Sequence, residues 1–553
     1  MTSSAHTRSV SIWLIAGLLL LAAAWIVPVN LKSVTPALLK EAGAGTPTVA
    51  KLGRQLLDRE KPGPAALALA AARTLGDPQA AGLATGLDNA AHRQPELVPW
   101  GGWDPFLDPL FNLKENTGRT ASTPVLTFFI AEKARANLLG YLSGSRSQGV
   151  QTLLRVRDVK QAGRFVPATK PGGQTLDAVV LLSALLYQGE HFSAPLQREL
   201  RELADTAARQ NHLGELEPAF IDLLSLGRRL DWIQLTELMR VTDSVKTVGE
   251  FAQLARAASD DLPVIYSAAL LTGSADRVAT YLLKYGHAGV VDLKLALTLG
   301  QGATEQLLAR QVPVNRQPAP SFGPVTLVAL LYPKLALIAK YLGFLLGAFC
   351  VFRGLESLLF DDEDDDTVGG GLTRVKSGAL AVLTAAMLVL GTEPFLLKTP
   401  APSEFQLKFS IPVLSNISDP SSLTPTAPSL TMDISTLLTI GFFALLQIGM
   451  YLYCLSKIRE IDRQSAPSLL KLRLMENEEN LFDGGLYIGI AGTATALVLQ
   501  VLGVIQPNLL AAYSSNLFGI CCVALIKIRH VRPYKRTLIL AGQNESKPVI
   551  AVA

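Results

Sequence analysis

Apolar runs with charged junctions lie at both ends of this chain, and between them apolar positions recur at helical spacing. Ser11 to Val27 is an apolar run closed by Pro28. After a proline-rich linker, Pro313 to Pro324, come runs at Leu335 to Phe352, Leu380 to Phe395 and Ile434 to Cys454. The pair Leu486 to Ile505 and Leu509 to Ile526 follows, joined by Gln506-Pro507-Asn508. At roughly 1.5 Å per residue each of that pair is about long enough to cross a hydrocarbon core of roughly 30 Å. The pattern predicts six membrane-spanning helices, the last two forming a hairpin.

Between the first run and the linker, the i, i+3, i+4 rhythm is clearest in Leu196 to Arg209, Ala219 to Leu230 and Asp276 to Tyr285, each with one face to bury. Leu176 to Tyr187 reads as a strongly apolar helix expected at the domain centre. Prolines at 99, 105 and 109 break any helix among Trp100, Trp103, Phe106 and Phe111, which predicts an ordered loop whose aromatics pack on the domain or meet a partner. Thr152 to Thr169, with β-branched residues around Lys160-Gln161-Ala162-Gly163, reads as a short two-stranded ribbon. Two units beginning at Gly273-Ser274-Ala275 and Gly302-Ala303-Thr304 leave open a solenoid-like stack or another helical packing.

The expected class is therefore mostly α, an integral membrane bundle with a large extracytoplasmic all-α domain. Residues 1–28 form the N-terminal span, 29–322 the exported domain, 323–395 spans two and three with an acidic cytoplasmic loop at 353–376. Residues 396–433 form an exported loop rich in Ser, Thr and Pro, 434–528 spans four to six, and 529–553 a basic tail.

Composition agrees: 49% hydrophobic residues is high for a soluble protein, and 17% charged is high for one wholly in the membrane. The net charge of +4 is modest, and its basic residues gather at span ends, so nucleic acid is not implied. Arg353, Arg374 and Lys376, then Lys457, Arg459 and Arg463, then Lys527, Arg529 and Arg532 all fall on one side if both termini are inside, the cytoplasmic side of a bacterial inner membrane. For the first run a cleavable signal peptide, with Ala22 to Ala24 as small residues, competes with a retained anchor; apolar continuation through Trp25, Ile26 and Val27 favours the anchor. Cys350, Cys454, Cys521 and Cys522 all lie in or beside apolar runs, which excludes a disulfide framework or a CxxC metal site.

Candidate chemistry concentrates in the membrane runs. Gly492, Thr493 and Thr495 on one hairpin arm and Ser514, Ser515, Asn516 and Gly519 on the other either let two helices approach closely or line a hydrated path against a partner. Lys340 and Glu393 lie inside the exported ends of two spans, where a charge must snorkel or find a partner such as the other. Gln447 and Gln500 lie deep in their spans and need hydrogen-bond partners. The acidic run Asp361 to Asp366 lacks the alternating ligands of a calcium loop. HExxH, Walker A, Rossmann and GxSxG patterns are missing, and the histidines have no ligand spacing. No cofactor or metal is expected.

The run Ile488-Gly489-Ile490-Ala491-Gly492-Thr493-Ala494, together with Ser515-Asn516-Leu517-Phe518-Gly519-Ile520, resembles the last two spans of the MotA/TolQ/ExbB proton-channel family. The likeness covers about the last 100 residues, and the family's threonine in the last span falls on Asn516. It implies an inner-membrane subunit of an ion-driven envelope complex, a homo-oligomer around a single-span membrane partner, with the small and hydroxylic residues above lining the pore or touching that partner. The residues by themselves leave two other classes open: a membrane-anchored scaffold without ion transport, and an enzyme with an unrecognised exported site.

Overall fold

The structure, a computed structural model, describes residues 2–111, 113, 121–317, 320–359, 370–396, 404–405, 434–501 and 509–545. Among these residues every regular element is a helix and no strand occurs. The chain divides into two compact units, one of Met1–Ser33, Gln317–Thr399 and Ile411–Ala553, the other of Val34–Arg316 and Pro400–Ser410.

The second unit is the helical domain. Its central helix, Gln174–Gln188, buries every side chain from Leu176 to Leu186, the fate expected of a helix that is apolar all round. The buried carboxylate of Asp177 on this helix is compensated by Arg135 Nε at 2.9 Å and Arg157 Nε at 2.7 Å, as a charge removed from water requires. The helices Ala194–Gln210 and Leu216–Gly227 turn their predicted apolar faces inward. The domain begins and ends at one place. Val34 pairs with Val314 in an isolated bridge, and Asp292 accepts from Val314 N at 2.9 Å and from Arg316 Nη2 at 2.7 Å.

The ribbon expected at 152–169 does not form. Gly149, Val150, Leu153 and Val156 share one helical face and are buried, so tertiary packing draws Gln148–Arg155 into a helix despite its β-branched content. What remains is a single bridge, Gln161 to His212. The compact helical unit takes in Val34–Arg316 and Pro400–Ser410. Of the loop at 396–433 only Leu396, Glu404 and Phe405 are described. Phe405 is buried on the helical domain, its carbonyl accepting from Gln253 Nε2 and its ring meeting His287 edge-on at 4.7 Å.

In the first unit the N-terminal helix Thr2–Ile26 packs along Pro333–Leu359, which also carries Gly370–Thr392 on another side. Glycines make the first contact close: a Cβ on Gly17 would lie 2.8 Å from Gly347 O, and one on Gly343 2.8 Å from Ala24 Cβ. The edge of Trp25 meets Phe344 at 6.4 Å. A second cluster joins Ile434–Arg463 to the hairpin helices Gly484–Val501 and Leu509–Ile526. Of the tail expected at 529–553, the described residues 529–545 are structured. A π turn, Lys527–Val531, leads into the helix Arg532–Glu545, whose Leu538 shares a core with Met475 of the helix Ser468–Asn477.

Among the described residues two helical stretches, Pro333–Leu355 and Tyr513–Gly542, are long and apolar enough to cross a membrane, and Val10–Ile26 and Ser377–Thr392 are shorter apolar helices. The acidic run at 361–366 and the turn at 506–508 lie outside the described residues.

Candidate functional site

Hairpin geometry decides how the small residues are used. Gly485, Gly489 and Gly492 recur at i, i+4 and i+7 and so form one stripe on Gly484–Val501. Against it lie Ser515, Gly519 and Cys522 of Leu509–Ile526. A Cβ on Gly519 would sit 2.6 Å from Gly485 O, and one on Gly492 2.4 Å from Ser515 Oγ. Ser515 Oγ donates to Gly489 O at 3.3 Å, and Thr493 Oγ1 donates back to the same carbonyl at 3.0 Å. Gly492, Thr493, Ser515 and Gly519 are thus engaged within the hairpin, Ser514 is half-buried, and the side chain of Thr495 lies outside the described residues.

Gln447, on the third helix of this cluster, is buried and donates from Nε2 to Gly485 O at 2.9 Å. Its Oε1 is enclosed without a hydrogen bond, and so is Asn516 Oδ1. The side chain of Gln500 lies outside the described residues. An orphaned amide oxygen in an apolar surrounding costs roughly 1–3 kcal/mol.

Lys340 and Glu393 do not form the direct ion pair, nor do they snorkel; both are buried, at 3% and 0% exposure. Each holds the backbone that leaves the N-terminal helix. Lys340 Nζ donates to Val29 O at 2.9 Å and to Asn30 Oδ1 at 2.7 Å, and Asn30 Nδ2 donates to Ser33 Oγ at 3.0 Å. Glu393 accepts from Leu31 N at 2.9 Å and from the Tyr341 hydroxyl. This pair therefore clamps residues 29–31.

Sequence reading passed over a buried polar centre in the helical domain. Asp104, in the proline-broken aromatic stretch, accepts from Phe106 N at 2.8 Å and Trp232 Nε1 at 3.0 Å, and lies 3.2 Å from His191 Nε2. Burial pulls its pKa upward, yet the contacts from His191, Trp232 and Phe106 outweigh burial and hold it below the usual carboxylate value. His191 Nδ1 faces Arg240 Nη2 at 3.0 Å. Around them Trp100 stacks on Phe128 at 3.8 Å, and Trp232 meets His191 edge-on at 5.4 Å.

Asp231 caps the helix Trp232–Arg240 in a capping box with Gln234 and accepts from Ser122 Oγ at 2.8 Å. Burial raises its pKa to about 7 despite those bonds. Trp100 is 1% exposed and Trp103 41%, so the patch packs inward except at Trp103. Asp104 and His191 are both buried, and His191 Nδ1 connects them to Arg240, whose side chain is 43% exposed. Their arrangement orders the loop at 100–111 and offers no nucleophile. No cluster of three or more His, Cys, Asp or Glu that could hold a metal occurs among the described residues.

Comparison of the chain with family models, with curated proteins and with solved structures returned no match.

Proposed function

We propose that this chain is a multi-span inner-membrane scaffold that presents a helical binding domain outside the cytoplasm, with six spans and both termini inside. The observation that carries this reading is the spending of Gly492, Thr493, Ser515 and Gly519 on the contact between the hairpin's own helices, which leaves few hydroxyls for a hydrated path. The Lys340 and Glu393 clamp adds to it: the ionisable groups expected near the exported ends of two spans fix a chain crossing and do not face a channel. Close glycine packing of the N-terminal helix supports a retained anchor.

A second reading, the MotA/TolQ/ExbB-like ion-driven subunit, is favoured by one feature. Asn516 Oδ1 is enclosed and unpaired on the last span, where a partner helix or a conducted proton could supply the missing donor. Proton flux into proteoliposomes under an imposed potential separates the two. A scaffold gives flux at the level of empty vesicles, unchanged by Asn516→Leu; flux well above that level and abolished by the substitution overturns the scaffold.

A further inference from the structure

We propose that the groove between Gln148–Arg155 and Ala194–Gln210 is a binding site for a ligand carrying two or more phosphate groups. This rests on reading the helical domain as a binding module. Gln148–Arg155 turns Gly149, Val150 and Leu153 inward, with Gly149 so close to the Tyr187 ring that a Cβ would lie 2.1 Å from Cζ, and Arg155 is left facing out. Ala194–Gln210 buries Leu196, Leu200, Ala204 and Ala207, which leaves Arg198 and Arg201 on the opposite side. Arg146 enters from a loop pinned by Gln151, whose Nε2 donates to Ser145 O at 2.9 Å and Ser143 O at 3.2 Å. Together these walls enclose about 640 Å³, open along one side.

The charge of this groove is unbalanced. Four arginines, Arg146, Arg155, Arg198 and Arg201, meet two carboxylates, Glu202 and Asp205. Asp205 is already engaged by Arg209 at 2.7 Å, and Arg201 is turned to Gln148 Oε1 at 2.9 Å. Among the described residues Arg146, Arg155 and Arg198 have no ion pair. Three like charges held around one hollow repel each other until an anion enters.

Guanidinium forks match phosphate oxygens, and a tetrahedral phosphate can accept from two forks at once where a planar carboxylate fills one. The pinned loop and the two packed helices fix the backbone positions from which the arginine side chains extend toward one groove. An open side suits a chain or an extended molecule better than an enclosed metabolite.

Calorimetric titration of the full chain in nanodiscs of zwitterionic lipid with tripolyphosphate tests the site. Expected is saturable binding that weakens with salt, is at least tenfold weaker in Arg155→Gln/Arg198→Gln, and is unchanged in Arg73→Gln/Arg93→Gln, which removes two exposed arginines elsewhere. Both double variants should melt at the wild-type temperature, because all four side chains are exposed. Absence of saturable binding, an equal loss in the control variant, or citrate binding as tightly as tripolyphosphate would overturn the assignment. Competition by vesicles containing cardiolipin, a lipid with two phosphates, would assign the phosphate to a lipid headgroup, and failure to compete to a soluble or polymeric phosphate. The titration does not depend on copy number or ion flux, so its failure leaves the scaffold standing and the reverse also holds.

Discussion

Asp231 links the core of the helical domain to pH. Its carboxyl is raised from the usual carboxylate value to about 7 by burial, so between roughly pH 4 and 7 the folded chain holds a proton that the unfolded chain has lost. Stability therefore falls as pH rises through that window. Asparagine keeps the N-cap and carries no charge to bury. Asp231→Asn is expected to be more stable than the wild type at pH 8, by an amount on the order of a few kcal/mol, and equal to it near pH 4. Fluorescence-monitored denaturation across pH reads this through the buried Trp100 and Trp232; identical slopes for both proteins would refute it. Asp222 and Asp292 are also raised, chiefly by burial, and should leave a residual slope of the same sign.

At the same scale, Lys340 and Glu393 were legible as misplaced charges, because a lone ionisable residue in an apolar run stands out. Their partners were not legible. Among the groups they hold are backbone atoms of Val29 and Leu31, more than 300 residues away, and a main-chain carbonyl or amide has no signature in a sequence. Asp104 and His191 were missed for a related reason: neither has a neighbour in the chain that suggests pairing, and only folding brings them within 3.2 Å.

Among the elements, helices with strong periodicity or uniform apolarity were readable, as Gln174–Gln188 and Ala194–Gln210 illustrate. Gln148–Arg155 was not, since Val150, Thr152 and Val156 favour strand locally while the buried helical face of Gly149, Val150 and Leu153, with Gly149 against the Tyr187 ring, decides for helix. The amphipathic helix Arg532–Glu545 was hidden by its charge, which drew attention away from Leu538. Glycine stripes were visible as small residues, but which helix each would meet was not. Gly519→Val tests the hairpin contact, because its side chain would have to displace Gly485 O. The helices must part, at a cost of about 1–3 kcal/mol, whereas Gly449→Val, with nothing within 4 Å of its Cβ, should be nearly neutral. Thermal unfolding in detergent reports the difference. Equal melting temperatures for the two variants would mean that the stripe does not hold the hairpin together.

For the molecule as a whole, the chain forms two compact units, one of them built from residues 34–316 with 400–410. Val34 and Val314 close the helical domain on itself, so in the chain it has the form of an insertion between the first helix and the later helices of the other unit. Such a domain can recognise a ligand while the spans anchor it, which is the division of labour proposed above. The alternative requires many copies, because a single hairpin encloses no pore. The most direct test is the mass of the purified full-length complex in nanodiscs, with every co-purifying protein identified. A scaffold is expected as one or two copies with no single-span partner; a closed ring of several copies around such a partner would contradict it.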